Sequence, residues 1–177
     1  MKDSEIIDGI TYRFSAPEDL PDGYLDEICS LVEAGGSVDP AKVRANLEGA
    51  YLIGYVLDDQ GRLIACSGLK YPRRQYTETV RQQTGLDLSG YLERGYTSVL
   101  PEYRGRRIAS NLLAGLTARA RADGRRLYSV IGEDNVGGQK IALNNNTRKA
   151  AVYKSPKSGK QMGIWIPEWI IRGTENR

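Results

Sequence analysis

The sequence predicts an α/β fold built on one mixed β-sheet flanked by helices, and three observations carry that prediction. An apolar, β-branched run at residues 96–100 stops at Pro101, passes through an Arg- and Gly-rich turn and opens into a helical pattern. That pattern ends shortly before a buried-type strand at 126–131. Strand, helix and strand make a β-α-β unit, which asks for a parallel pair and a right-handed crossover. Two hairpins, 50–57 with 62–69 and 148–154 with 161–166, add antiparallel pairs. Finally, two helical stretches precede the first hairpin. A chain of 177 residues, 40% hydrophobic and 27% charged, suits a single domain over 1–177 with a substantial core.

Each element has its own signal in the sequence. Residues 1–9 and 172–177 are polar ends and read as loose. Ile10-Thr11-Tyr12-Arg13-Phe14 alternates as a first strand, and residues 16–21 turn. Asp22 is placed to cap a helix bearing Leu25, Ile28, Cys29, Leu31 and Val32, ended by Gly35-Gly36. A second, short helix starts at Asp39 or Pro40 and carries Val43 and Leu47. Residues 50–57 are a strongly apolar strand, Asp58-Asp59-Gln60-Gly61 a hairpin loop, and 62–69 the return strand. Lys70-Tyr71-Pro72 then leaves the sheet. Residues 75–83 form a short extra helix, Tyr76 and Val80 inward, Arg73, Arg74 and Arg81 outward. Strand 90–100 feeds the central turn.

Beyond that turn, Ile108, Ala109, Leu112, Leu113, Leu116 and Ala120 recur at helical spacing. Asn111, Thr117, Arg119 and Arg121 fall opposite, and Gly124 closes a helix of about five turns. After strand 126–131 and a loop at 132–135, residues 138–144 hold only a short helix. The closing hairpin turns at 155–160 and packs Trp165, while Trp169 and Ile170 cover an edge.

Composition excludes several chemistries. The chain has no histidine, which removes Ser-His-Asp and Cys-His catalysis and histidine-ligated zinc, so no metal site is expected. Acid–base work falls to carboxylates, tyrosines, lysines, a cysteine or water. There is no Walker-type phosphate loop, no stretch of membrane-span length and no signal peptide ahead of the first strand. Cys29 and Cys66 sit in apolar contexts and read as reduced core residues of a cytoplasmic protein. Residues 1–60 hold 13 Asp and Glu against 4 Lys and Arg, and residues 61–177 hold 9 against 21. The net charge of +3 therefore conceals an acidic front and a basic back. Such a split can draw a cationic substrate to one region and an anionic cofactor to the other.

The long helix opens against a local rule. Its N-terminus carries partial positive charge and unpaired N–H groups, yet Arg104, Arg106 and Arg107 stand there. A bound phosphate compensates such an arrangement. On charge alone, a bound anion and a solvated arginine cluster both remain open.

The segment Arg104-Gly105-Arg106-Arg107-Ile108-Ala109, preceded by Val99-Leu100-Pro101, resembles the acetyl-CoA-binding motif of the GNAT superfamily of N-acyltransferases. That motif is an Arg or Gln, two residues, Gly, one residue, then Gly or Ala, after a strand ending Val-x-Pro. Its middle glycine is Arg107 here. The order of strand, two helices and hairpin ahead of the motif extends the resemblance over roughly residues 10–166. It implies the GNAT-type N-acyltransferase fold, a central mixed, mostly antiparallel sheet of about six to seven strands flanked by helices.

The resemblance also implies a cofactor and roles. Acetyl-CoA, a form of coenzyme A, is held through its pyrophosphate by Arg104, Gly105, Arg106, Arg107, Ile108 and Ala109, with Arg107 bridging to another phosphate. Main-chain groups of Val99, Leu100 and their neighbours bind the pantetheine arm, where the strand bulges and splays from the next. Asn135 matches an asparagine that often begins the region after that next strand. Glu93, six residues before Val99, stands where many members carry a catalytic carboxylate, and it shares a face with Val99 only if no bulge intervenes. The family's tyrosine acid is absent, Ile141-Ala142-Leu143 standing there, so Tyr153 or Tyr96 takes that role or the thiolate leaves unassisted.

The reaction implied is direct attack of a primary amine on acetyl-CoA in a ternary complex, making the chain an acetyltransferase. The acidic helices favour a cationic acceptor, either polyamine-like or a protein lysine or N-terminus. Two alternatives differ in class: a catalytically degenerate module that binds CoA or a partner, and a nucleic-acid-associated enzyme of the same fold. No aromatic-interleaved basic patch supports nucleic acid. A homodimer is allowed.

Overall fold

The computed structural model describes residues 3–36 and 38–175. The expectations for Met1, Lys2, Asn176 and Arg177 fall outside the described residues. Among the described residues eight strands form one sheet: β1 (Asp3–Ile7), β2 (Ile10–Ser15), β3 (Leu52–Leu57), β4 (Leu63–Lys70), β5 (Tyr91–Val99), β6 (Arg126–Gly132), β7 (Thr147–Lys154) and β8 (Gln161–Pro167). Their order is β1-β2-β3-β4-β5-β6-β8-β7. Every neighbouring pair is antiparallel except β5 with β6, the pair that the β-α-β unit predicted.

The helices are α1 (Tyr24–Ala34), α2 (Pro40–Glu48), α3 (Arg74–Thr84), α4 (Ile108–Ala122), α5 (Val136–Asn144) and α6 (Glu168–Glu175). On one face, Leu112, Leu116 and Ala120 of α4 pack on Phe14, Val56, Ile64 and Leu127. The approach is close. A Cβ on Gly54 would lie 2.8 Å from Leu112 Cδ1, and one on Gly115 would lie 2.3 Å from Phe14 Cζ. On the other face, Ile28, Val32, Val43 and Leu47 of α1 and α2 cover Ile53, Tyr55 and Cys66. Farther along, Val80 of α3 and Ile170 of α6 close over Tyr91, Tyr128, Tyr153 and Ile164.

The structure corrects several expectations. Residues 3–7 are an edge strand, which raises the strand count to eight. Asp8 (φ 51°) and Gly9 (φ 78°) make a two-residue turn with Ile7 opposite Ile10, and Arg119 of α4 bonds Asp3 at 2.5 Å. Those links replace the apolar alternation that β1 lacks. Asp22 does not cap α1; Gly23, at φ 81°, takes the N-cap position without a side-chain bond. Asp39 does cap α2, accepting from the Ala41 N–H at 3.2 Å. Lys70 stays in β4 because it pairs with Glu93 across β5. Helix α4 has 15 residues, about four turns, ending with Gly124 in the left-handed region. Trp169 and Ile170 belong to α6, so residues 172–175 are helical. Among the described residues no helix is long and apolar enough to cross a membrane.

Candidate active site

The turn between β5 and α4 is built from its neighbours. Leu100 N–H bonds Ile64 C=O at 2.9 Å, and Pro101–Tyr103 then form a single 3-10 turn. The β3–β4 hairpin loop braces it: Tyr103 donates to Asp58 Oδ2 at 2.9 Å, and Arg62 pairs with Glu102 at 3.1 Å. Gly105 (φ 79°) and Arg107 (φ 60°) both lie in the left-handed region, and Arg107 is the N-cap of α4. Arginine thus holds the glycine-like conformation that the loop needs. Among the described residues, the N–H groups of Gly105 through Ser110 find no acceptor, and none of Arg104, Arg106 and Arg107 pairs with a carboxylate. Arg104 Nε bonds Val99 C=O at 3.2 Å, and Arg106 lies over the Tyr103 ring at 5.2 Å. Exposed donors at a 15-residue helix N-terminus, fringed by guanidinium groups, suit a polyphosphate.

The left-handed arginine gives a prediction. That conformation costs a non-glycine residue roughly 1–2 kcal/mol, against about 0.4–1 kcal/mol of added unfolded-chain freedom when glycine enters. Arg107→Gly should therefore stabilise the fold by about 0.5–1 kcal/mol on that balance. Thermal unfolding should show a melting point up to about 4 °C higher, with anion binding to the loop weakened.

Beyond this turn the sheet opens. Strands β5 and β6 pair over four positions, from Tyr91 with Arg126 to Arg94 with Ser129, and then part. The last pair is pinned by Arg94, 3% exposed, whose Nε bonds Ser129 Oγ at 3.1 Å and whose Nη1 bonds Thr117 Oγ1 at 2.5 Å. Burial lowers its pKa to about 10, so it remains charged at neutral pH. Among the described residues, the main chain of 95–99 has no strand partner on the β6 side.

A bulge sits in the same stretch. Cys66 pairs with Ser98 and Gly68 with Gly95, leaving Ser67 opposite both Tyr96 and Thr97. Ser67 Oγ lies 3.2 Å from Gly95 O and 2.9 Å from Thr97 Oγ1, and Tyr96 adopts φ 57°. The extra residue reverses side-chain sense along β5. Val99 packs with the α4-side core, while Glu93 lies beside Lys70 on the side of α2 and α3. Glu93 and Val99 therefore do not share a face.

Glu93 belongs to a pocket of about 140 Å³ lined by Asn46, Lys70, Tyr71, Pro72, Arg73, Tyr76 and Glu93. Lys70 Nζ lies 3.2 Å from Glu93 Oε1 and 3.8 Å from the Tyr96 ring centre. Both groups lie over Gly95, where a Cβ would be in ordinary contact with them, 3.5 Å from Lys70 Nζ and 3.6 Å from Glu93 Oε1. Tyr96 accepts from Asn46 Nδ2 at 2.7 Å, which leaves its own O–H free to donate.

Behind Glu93 stands an aromatic stack. Tyr76 stacks on Tyr128 at 6.3 Å and meets Tyr153 edge-on at 5.6 Å. Burial raises the pKa of all three hydroxyls, and the Glu93 carboxylate raises all three further. The three stay protonated at any physiological pH. The predicted residues Glu93, Tyr96 and Tyr153 thus gather on one side, with Tyr153 only 5% exposed behind Tyr76. Asn135 lies at the end of β6, its side chain accepting from Gly138 N–H at 2.9 Å as the N-cap of α5.

Sequence reasoning missed Lys70, Arg94 and Tyr128. Lys70 had a signal, a lysine ending an otherwise apolar run, whereas Arg94 and Tyr128 depend on partners distant in the chain. The acidic helices contribute only Asn46 to the pocket lining. Of their carboxylates, Asp26 and Glu48 pair with Arg44, and Asp39, the N-cap of α2, pairs with Lys42 and Lys157.

The acetyltransferase (GNAT) family profile matches residues 23–154. No curated protein sequence matches the chain. Among solved structures, a protein described as a GnaT-family acetyltransferase from Bordetella pertussis is 16% identical. The alignment covers 93% of this chain and 99% of that one, at a TM-score of 0.68. The ribosomal-protein-S18-alanine N-acetyltransferase from Escherichia coli aligns over 88% of this chain and 92% of its own, with 12% identity and a TM-score of 0.64. A spermidine N-acetyltransferase SpeG chimera from Vibrio cholerae and hSSAT aligns over 90% and 96%, with 15% identity and a TM-score of 0.62. At these identities the likeness to the structures is one of fold.

Proposed function

The chain belongs to the acetyltransferase (GNAT) family, and from that premise we propose that it is a single-domain N-acetyltransferase carrying the acetyl group of acetyl-CoA to a primary amine. Attack is direct, within a ternary complex. The observation that carries this reading is the conjunction at β5. Among the described residues, N–H groups without an acceptor and three arginines without a carboxylate partner stand at one end of a strand whose main chain loses its neighbour just before them. A pyrophosphate fits the first feature and an extended amide-containing arm the second. Arg104, Gly105, Arg106, Arg107, Ile108 and Ala109 hold the phosphates. Main-chain groups of residues 95–99, with Val99 and Leu100 nearest the turn, line the arm. Asn135, its oxygen engaged as a cap, offers only its amide N–H groups.

Bound there, acetyl-CoA supplies an acetyl group activated as a thioester. In the net exchange an N–C bond replaces a C–S bond, and the acceptor ammonium gives up two protons, one passing through the protein to solvent and one ending on the sulfur, which leaves as a thiol. An alkyl ammonium has a pKa near 10.4, so at neutral pH the acceptor must lose a proton before it can attack. Glu93 is the base we assign, being the one carboxylate lining the pocket on β5. Lys70, bonded to it, fixes its orientation. Tyr96 is the acid we assign, because its free proton lies at the bulge beside the cleft. Tyr153 instead buttresses Tyr76. A loop that keeps its left-handed geometry at Arg107 supports a working phosphate grip over a degenerate one.

Calorimetry tests the grip. Wild-type protein is expected to bind acetyl-CoA at micromolar concentration, and the Arg104→Ala, Arg107→Ala double variant at least tenfold more weakly. Absence of binding by folded wild type would overturn the acetyltransferase reading.

A further inference from the structure

The charges around the acceptor pocket are uneven. Lys70, with its side chain 10% exposed, and Arg73 stand against a single carboxylate, Glu93. Lys70 already compensates Glu93 at 3.2 Å. Arg73 is exposed and, among the described residues, pairs with no carboxylate. It also precedes α3, an 11-residue helix whose N–H groups at Arg74 and Gln75 find no acceptor among the described residues. Helix end and guanidinium together leave net positive potential on one side of a pocket of about 140 Å³. Tyr71 and Tyr76 supply aromatic walls.

A polycationic acceptor fits this pocket poorly. Its reacting ammonium can meet Glu93, but each further positive charge then faces Lys70 and Arg73. A molecule that carries a carboxylate close to its amine fits far better, because each of its charges finds an opposite one. We propose that the acceptor is a carboxylate-bearing amine of the α-amino acid type, its carboxylate received by Arg73 and Lys70 and its ammonium directed to Glu93. A guanidinium receives a carboxylate through two parallel N–H donors, which fixes the orientation of the amine as well as holding the molecule. The cationic acceptor suggested by the acidic front of the sequence is thereby replaced. On α1 and α2, Asp26 and Glu48 are paired with Arg44, and the pocket lining includes no carboxylate of either helix.

The inference rests on the acetyl-transfer reading, and its test separates the two. Acetyl-CoA binding is measured first, by calorimetry. Release of CoA thiol is then followed with L-alanine, L-leucine, L-phenylalanine and L-glutamate, with the methyl ester of each, and with spermidine. Esterification keeps the shape, removes the negative charge and makes the amine less basic, so more of it is neutral. A site indifferent to the carboxylate therefore favours the ester. We expect at least one free amino acid to exceed its ester and spermidine at least tenfold in kcat/KM. In Arg73→Ala that preference should collapse, chiefly through a KM at least tenfold higher for the free acid and a much smaller change for the ester. Lys70→Met, which removes the second cation, should lower the same preference. If the protein binds acetyl-CoA but turns over ester or spermidine as well as the free acids, or turns over no amino acid, the carboxylate inference is overturned while acetyl transfer stands. If acetyl-CoA does not bind, both fall.

Discussion

Glu93→Gln is expected to lower kcat by about 10²–10⁴-fold, the range for loss of a positioned general base, with acetyl-CoA affinity changed by less than about threefold. The substitution is nearly isosteric, and its amide oxygen can still accept from Lys70, which lies 3.2 Å from the carboxylate. The pocket should therefore keep its shape while losing the group able to take a proton. Because the bulge at Tyr96 puts Glu93 on the side away from Val99, the change should leave the phosphate turn untouched. Steady-state kinetics with the best acceptor, paired with calorimetry for acetyl-CoA, separates the two effects. A kcat within threefold of wild type would remove Glu93 from the chemistry and leave it as the anchor of Lys70. A large fall in acetyl-CoA affinity would mean that the two sides of β5 are coupled more tightly than the register implies.

Gly115→Val should cost the fold about 3 kcal/mol, the upper part of the usual range for overpacking. A Cβ at this position would lie 2.3 Å from Phe14 Cζ and 2.7 Å from Glu5 Oε1, so ring, strand or helix must move. The neighbourhood has little slack. Phe14 is 1% exposed and carries the Arg119 guanidinium over its ring at 3.6 Å, and Arg119 also holds Asp3 of β1. For a chain of this length the melting temperature should fall by about 6–12 °C. The loss of helix-breaking glycine returns only a few tenths of a kcal/mol. Thermal unfolding followed by circular dichroism measures this, and a fall under 2 °C would show that α4 can lift off the sheet without penalty.

Most of the fold was legible because local signals and the global arrangement agree. Period-two alternation at Tyr12 and Phe14, the Asp58–Gly61 loop, the apolar face of α4 and the Pro40 start of α2 each describe their own element. What was not legible depends on partners distant in the chain. Strand β1 lacks an apolar face and is held through Arg119, more than a hundred residues away. Its one local clue, Asp8-Gly9, is a strong hairpin signal that the polarity of the segment overshadowed. The phosphate turn was readable as a contiguous motif, including its departure at Arg107. The acceptor pocket was not, because Asn46, Lys70, Arg73 and Glu93 come from four elements and meet only through the sheet register. The bulge decided the most. The resemblance implied a bulge on this strand, and Gly95 inside it is a local sign of one, but neither fixes which residue is inserted, and that position sets which side chains line the pocket. Net charge could not describe the pocket for a related reason: a tally along the chain counts the acidic groups of α1 and α2 but cannot see that Arg44 has already engaged two of them.

The single inserted residue at Tyr96 also divides the molecule into parts that can change separately. Residues 104–110 stand at one end of β5, where we propose the cosubstrate is held, whereas Asn46, Tyr71 and Arg73 line the pocket we propose for what receives the acetyl group. Only β5 is common to both. A descendant of this chain could take up a new acceptor by exchanging three side chains on α2 and on the segment leading into α3, with its cosubstrate grip left intact. Laboratory selection for a different acceptor should accordingly concentrate its changes at those positions and spare the arginine turn.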